Sequence, residues 1–302
     1  MSKIVITGAT GFIGSNLIRV LLQFGHEVIA IVRDEKKIPV EFINYSKFQY
    51  FGCELSNVSK LKSSIFENTD VLYHLAWDGA SGNKRSSVSL QLDNIKNSIE
   101  VYRFAIDKNI KKFVSIGTIA ENFTETKDIS LIKTRNFIYP LSKKYLQGIL
   151  LNFSNSEPIS TIWCTLCGVY GESDTTDNIV NKTIINLLNN ETPKFGPATQ
   201  WFDFVHINDC IKALYLIGMN HNTSNHYYIG SGNPRKLRFY LEIIKQKINP
   251  DVVMQYGYYE DDGVHYKKEW FNINNLVADF NFKPEIDFTD GIERILHSRK
   301  TR

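Results

Sequence analysis

Long apolar runs are missing from this chain of 302 residues: no stretch reaches the roughly 18 consecutive apolar residues of a membrane span. Excess charge of one sign is missing too. Lys and Arg number 35 against 32 Asp and Glu, for a net charge of +3, and no run of basic residues is long enough to argue for nucleic acid or an anionic membrane as partner. Cysteine is scarce, with four residues, Cys53, Cys164, Cys167 and Cys210. The pair Cys164 and Cys167 has metal-ligand spacing, but it lies in an apolar strand-like run with no second pair or nearby His, so no zinc or other metal site is expected. These two read as buried thiols in a reducing compartment. The N-terminus enters a strand pattern at once, without a basic region followed by an apolar stretch, so a signal peptide is not expected and a cytoplasmic protein is. Internal repeats and low-complexity segments are absent as well. What is present is ordinary for a globular chain with a large core, at 43% hydrophobic and 22% charged residues.

The most informative stretch is Thr7 to Gly14, TGATGFIG. It follows the apolar run Ile4-Val5-Ile6, which reads as a buried strand, and leads into Phe12 to Phe24, where apolar residues recur at helical spacing. Strand, glycine turn and helix is the context a dinucleotide site requires. Gly8 suits a tight turn, Gly11 has no β-carbon to block a pyrophosphate, and Gly14 lets helix and strand pack closely. The free N–H groups at the helix start then face an anion.

Strand and helix patterns alternate beyond it. Strands are predicted at Glu27 to Val32, Phe48 to Phe51, Val71 to Leu75, Phe113 to Ile116 and Ile159 to Leu166, with helices at Val58 to Phe66, Ser87 to Lys108 and Pro140 to Phe153. This alternation implies an α/β fold, a Rossmann-type doubly wound parallel sheet with helices on both faces and a ligand at the carboxyl ends of the strands. After about residue 170 the rhythm breaks up. Helices are predicted at Asp177 to Asn189, Asn208 to Ile217, Leu237 to Ile248 and Phe288 to Leu296, and strands at Phe202 to Val205 and Tyr227 to Ile229. Residues 1–170 are therefore expected to form a cofactor-binding domain to which some later segments return. Residues 171–302 would form a smaller, mixed substrate lobe interleaved with it.

At the end of the second strand, where an acid would select NAD through the ribose hydroxyls, the run is Val32-Arg33-Asp34. A guanidinium suits a 2′-phosphate, so Arg33 favours NADP. The alternative is that Arg33 is a surface residue and Asp34 serves the ribose of NAD. Farther on, Tyr139-Pro140-Leu141-Ser142-Lys143 places a phenol and an ammonium four residues apart, on one helical face if Pro140 sits in the first turn. An ammonium about 4 Å from a phenol at an effective dielectric near 20 contributes roughly 4 kcal/mol, enough to bring a Tyr that starts near 10 close to neutrality. Such a phenol can exchange a proton with a sugar oxygen. The fifth strand delivers Thr118 to the same edge, where its hydroxyl can bond the same oxygen. Ser115 is the competing residue, but it lies inside the strand.

Together these residues resemble the extended short-chain dehydrogenase/reductase family, which comprises nucleotide-sugar epimerases, dehydratases and 4-ketoreductases. The resemblance spans nearly the whole chain. It includes Thr7 to Gly14, Glu54-Leu55, His74-Leu-Ala-Trp77, Asn94, Thr118, Tyr139 and Lys143, then Val169-Tyr-Gly171, Asp203-Phe-Val-His-Ile-Asn-Asp209 and Asn281-Phe-Lys-Pro284. It implies that Gly8, Gly11, Phe12, Ile13, Gly14, Arg33, Glu54, Leu55, Leu75, Ala76, Trp77 and Asn94 hold the cofactor with Tyr139 and Lys143. Thr118, Tyr139 and Lys143 would form the catalytic triad, and a homodimer through the two long helices would be expected.

Departures narrow the function. Gly168 stands where many members carry an Asn for the substrate phosphates, and Phe202 where many carry an Arg. A diphosphate would then need other donors, such as the helix start near Asn178 or the cations Lys182 and Lys194, with Trp77, Thr118 and Gly168 also beside the substrate. A dehydratase would need an acid and base pair directly after Thr118, but Ile119-Ala120 follow and Glu121 comes one place later. The segment from His74 to Arg85 is similar to reductases of deoxysugar pathways, the CDP-abequose synthase group among them, and its glycines suggest a flexible loop. The expectation is an NADPH-dependent reductase of a nucleotide-diphospho-4-keto-6-deoxy sugar in surface-polysaccharide (O-antigen, lipopolysaccharide) synthesis. The alternatives are an NAD-dependent 4-epimerase and a non-catalytic NADP-binding regulator.

Overall fold

The computed structural model describes residues 1–125 and 135–300. Its centre is a parallel sheet of β1 (Lys3–Thr7), β2 (Glu27–Val32), β3 (Phe48–Gly52), β4 (Val71–His74), β5 (Lys112–Thr118), β6 (Ser160–Leu166) and β10 (His226–Ile229), in the order β10-β6-β5-β4-β1-β2-β3. The chain winds outward from β1 to β3, then crosses to β4 and winds the other way. The strand order therefore reverses beside β1, where the carboxyl ends of β1 and β4 diverge and a crevice opens.

The central strands are buried on both faces, and successive side chains alternate between them. Ile4, Ile6, Val28 and Ala30 face one side with α1 (Phe12–Gln23) and α6 (Ile207–Met219), through Leu17, Ile18, Leu21, Ile211, Leu214 and Ile217. Val5, Ile29, Ile31 and Leu72 face the other with α3 (Val88–Asp107) and α4 (Ile138–Phe153), through Ile95, Val101, Leu146 and Leu150. Each such side chain contributes about 1.5–3 kcal/mol when fully buried. A short α2 (Val40–Ile43) precedes β3.

The C-terminal lobe has β7 (Gly168–Tyr170) paired with β9 (Phe204–His206), β8 (Trp201–Phe202) paired with β11 (Arg235–Lys236), and α5 (Ile179–Leu188), α7 (Leu237–Ile248), α8 (Asn274–Phe280) and α9 (Phe288–Lys300). A separate apolar core holds it, with Ile184, Leu187, Leu241, Ile244, Ile292 and Ile295. Two buried carboxylates tie its segments together. Asp203 accepts from Tyr228 Oη at 3.0 Å and Gly232 N at 3.2 Å, and Asp209 from Glu285 N and Ile286 N at 3.0 and 2.9 Å.

Three expectations differ from what is seen. Val58 to Phe66 is divided between two 3₁₀ turns, Leu55–Lys60 and Ser64–Phe66, the second started by the Ser63 side chain, which accepts from Ile65 N. Phe202 to Val205 is divided between β8 and β9. Cys164 is buried but Cys167 only partly so, and all four thiols are free. No metal-ligand cluster occurs among the described residues, and no described helix is long and apolar enough to cross a membrane.

Candidate active site

The glycine loop joins β1 to α1 at the crevice. Gly8 has φ +74°, and a β-carbon on it would lie 2.6 Å from Ala76 N and 2.7 Å from Leu75 C, so the loop after β4 touches it directly. A β-carbon on Gly14 would stand 2.2 Å from Gly8 O, so helix and loop are in backbone contact. Gly14→Ala is expected to force the loop outward, at about 1–3 kcal/mol of stability, and to abolish nicotinamide dinucleotide binding. Thermal unfolding with a fluorescence titration of the cofactor checks both. The side chains of Phe12 and Ile13 pack into the core, so their contribution at the crevice is the backbone of the helix start.

The crevice is a groove of about 280 Å³ lined by Gly8, Gly11, Arg33, Asp34, Glu54, Leu55, Leu75, Ala76, Trp77, Asp78 and Asn94, among others. Its outline suits a dinucleotide: glycine backbone and a helix N-terminus at the centre, and a cation with carboxylates at one end. Arg33 pairs with Asp78 from the loop after β4, and the carboxylate raises the guanidinium pKa. Both side chains are partly exposed, at 56% and 41%. Exposed pairs of this kind contribute about 0–1 kcal/mol, so Asp78 can yield Arg33 to a phosphate.

Asn94 holds the loop rather than facing the groove alone. Its Oδ1 accepts from Asp78 N at 3.0 Å and its Nδ2 donates to Asp78 O at 2.8 Å. Gln91, also on α3, accepts from Trp77 Nε1 at 2.8 Å and donates to Gly79 O and Lys84 O at 3.3 and 3.2 Å. The loop expected to be flexible from its glycines is thus pinned by two buried amides. Gln91 carries no motif that would single it out in the sequence.

In the sequence His74 stands out only as part of a motif, and the structure gives it a task. Thr7 and His74 are partners in the β1–β4 register, with Thr7 Oγ1 2.8 Å from His74 Nδ1. His74 Nε2 lies 2.8 Å from Ser98 Oγ, which donates to Asn94 O at 2.7 Å. Because the Ser98 proton is engaged there, Nε2 carries the imidazole proton and Nδ1 accepts from Thr7, a tautomer assigned by the network. Burial, with Lys143 nearby, depresses the imidazole to about 3.

Thr118 ends β5, Lys143 Nζ reaches the same strand at Ile116 O, and Tyr139 and Lys143 both contact the Trp77 ring. Thr118 ends the strand partly exposed, while Ser115 is buried within it. Glu121, also buried, accepts from Thr118 N at 2.5 Å and from Trp163 Nε1 at 2.9 Å, which holds the turn that carries Thr118. Burial drives the Glu121 carboxyl up and the Lys143 ammonium down, each opposed by the other's charge. Pro140 lies in the first turn of α4, as the spacing requires.

Tyr139 and Lys143 also have partners that their spacing does not show. Lys143 Nζ donates to Ile116 O at 2.7 Å and lies 3.7 Å from the Trp77 ring centroid. Burial pushes the Tyr139 phenol up to about 12, and the cation that opposes this is Arg85. Its guanidinium carbon sits 4.6 Å from the Tyr139 ring centroid.

The residues expected beside the substrate do not all gather there. Trp77 lies at the groove's inner end, in edge contact with Tyr139 at 6.1 Å. Lys182 and Lys194 line a second cavity of about 560 Å³ in the C-terminal lobe, with Thr183, Gln200 and Tyr259. Lys182 pairs there with Asp177 at 3.0 Å, and Lys194 covers the Tyr258 ring at 4.3 Å. Asn178 is spent as the cap of α5, accepting from Asn181 N and donating to Asp174 at 2.6 Å. Gly168 faces the rings of Phe202 and Phe204, which leave no room for a side chain.

Residues 4–230 match the model of the NAD dependent epimerase/dehydratase family. The chain belongs to that family. It is 25% identical to CDP-abequose synthase of Salmonella typhimurium over 97% of both chains. It is 22% identical to dTDP-4-dehydro-6-deoxyglucose reductase of Escherichia coli, over 98% of this chain and 96% of that one. Among solved structures, UDP-N-acetylglucosamine 4-epimerase of Methanobrevibacter ruminantium, in complex with UDP-N-acetylmuramic acid, shares the fold at a TM-score of 0.79 and 21% identity, with 98% of each chain covered. Membership makes this an NAD(P)-dependent enzyme type that acts on nucleotide sugars.

Proposed function

We propose that the protein reduces the 4-keto group of a nucleotide-diphospho-4-keto-6-deoxy sugar with NADPH, in deoxysugar biosynthesis. The observation that carries reduction over epimerisation is Arg33, a cation on the groove wall beside Glu54 and free to leave an exposed ion pair. An enzyme that exchanges NADPH each turn gains from a 2′-phosphate contact, whereas an epimerase retains NAD. Relatives named for abequose synthesis and for 4-keto reduction support the same choice.

Bound in the groove, NADPH supplies the hydride. The chain's own residues do the rest. Thr118 orients the carbonyl through its hydroxyl, Tyr139 gives its proton to the carbonyl oxygen, and Lys143, fixed by Ile116 O, binds the nicotinamide ribose. Dehydration is disfavoured by the same site. Ile119 and Ala120 are buried apolar residues, and Glu121 points inward to Thr118 N and Trp163. The proposal includes a homodimer through α3 and α4, whose exposed Leu92 and Tyr145 suit such a contact.

The deciding experiment follows NADPH absorbance with CDP-, dTDP-, GDP- and UDP-linked 4-keto-6-deoxy sugars, with NADH as control. Stoichiometric loss with one member is the expected result. No loss, with NAD released on denaturation, would turn the reading to a 4-epimerase. Arg33→Ala is expected to weaken NADPH binding about tenfold or more, since a charge-assisted contact contributes about 1.5–3 kcal/mol, and to leave NADH binding within about twofold. Calorimetric titration of both cofactors measures the difference.

A further inference from the structure

Arg85 stands in the turn Gly82–Ser86, on the loop pinned by Gln91 and Asn94, with its guanidinium over the face of Tyr139. It forms no ion pair with any described residue, and its Nε is buried without a hydrogen-bond partner. The loop's anchors make this placement a property of the fold: Gln91 is fully buried and bonds Lys84 O, the carbonyl next to Arg85. A cation over an aromatic face is attracted by the ring, and far more strongly once the phenol has lost its proton.

We propose that Arg85 is a positioning cation that, in addition to Lys143, stabilises the ionised form of Tyr139 as its proton leaves. The proposal rests on Tyr139 being the proton donor. In the reduction the carbonyl carbon accepts hydride from NADPH, the Tyr139 O–H bond breaks, and its proton completes the hydroxyl on the former carbonyl oxygen. The phenolate charge left behind then lies under Arg85. Among the described residues, the titratable groups that face or neighbour Tyr139 are Arg85 from the loop, Glu121 from the turn after β5, Tyr266 from the C-terminal segment, and Lys143 on α4 itself. Arg85 favours the phenolate, whereas burial and Glu121 oppose it. Lys143 is engaged by Ile116 O and Trp77 and so remains available to the ribose side of the site.

A direct test replaces Tyr139 with 3,5-difluorotyrosine, whose phenol titrates at accessible pH, and follows its fluorine resonance in the full chain. Arg85→Met keeps side-chain length and removes the charge. It is expected to raise the titration midpoint by about two pH units, from a unit charge about 5 Å away at an effective dielectric near 20. Arg85→Lys should recover most of the shift, and Arg85→Gln reads the same displacement should the Met protein not fold. With the natural Tyr139, Arg85→Met is expected to lower kcat about tenfold or more while the KM for NADPH stays within about twofold. A midpoint unmoved in folded Arg85→Met or Arg85→Gln protein overturns the proposal. Full turnover by Tyr139→Phe would instead remove the reading on which it rests, so the two failures are distinct.

Discussion

Tyr139→Phe is expected to cut turnover by about 10²–10⁴-fold, the usual contribution of a positioned general acid, with cofactor affinity changed by less than about twofold. The phenol stands on α4 in edge contact with Trp77 and beneath Arg85. Phe preserves the ring, hence the edge contact with Trp77 and the seat of Arg85, and removes only the hydroxyl. Stability should therefore hold while kcat falls. The measurement pairs steady-state rates on the accepted sugar with a fluorescence titration of NADPH. A variant that kept more than about a tenth of the wild-type kcat would show that the proton comes from another group. A variant that lost NADPH binding as well would show that the hydroxyl serves the cofactor rather than the substrate.

The glycine loop and the strand alternation are legible in the sequence because their causes are local. A β-carbon at Gly8 or Gly14 is excluded by neighbouring backbone, and Leu237 to Ile248 forms the predicted helix because apolar residues recur along one face. What escapes is whatever depends on partners brought from afar. The spacing of Tyr139 and Lys143 places both on one helical face, but Ile116 and Trp77, from β5 and the loop after β4, decide where the ammonium goes. Arg85 belongs to a loop without periodicity, and only the amides of α3 bring it over Tyr139. The helix start near Asn178 offers backbone N–H groups, but that its side chain is the cap, accepting from Asn181 N and donating to Asp174, is not visible in the sequence.

His74 illustrates the same point with a measurable consequence: the folded protein is expected to lose roughly 3 kcal/mol between pH 7.5 and pH 4 through this one residue. Its imidazole is neutral in the folded state down to about pH 3, whereas in the unfolded chain it takes up a proton near 6.5. Between those values the unfolded state binds more protons, so stability rises with pH across the window and falls as the solution is acidified. Below pH 3 both states are protonated and the loss levels off at roughly 5 kcal/mol, by the 1.36 kcal/mol that each pKa unit represents. The physical cause is the tautomer chain. A proton added at Nδ1 would face the Thr7 hydroxyl proton and force it to turn away, inside a buried site. Raised carboxyl groups such as Glu121 and Asp203 act in the opposite sense, because they favour the folded state as the pH falls. Their contribution cancels when His74→Gln is compared with the natural protein. Gln can accept from Thr7 and donate to Ser98 but cannot titrate. It should cost stability at pH 7.5, and the gap between the two proteins should narrow steadily toward pH 4 in urea unfolding. Parallel curves would mean that His74 keeps an ordinary pKa and that the Thr7–His74–Ser98 chain does not hold β1 to β4 beneath the cofactor groove.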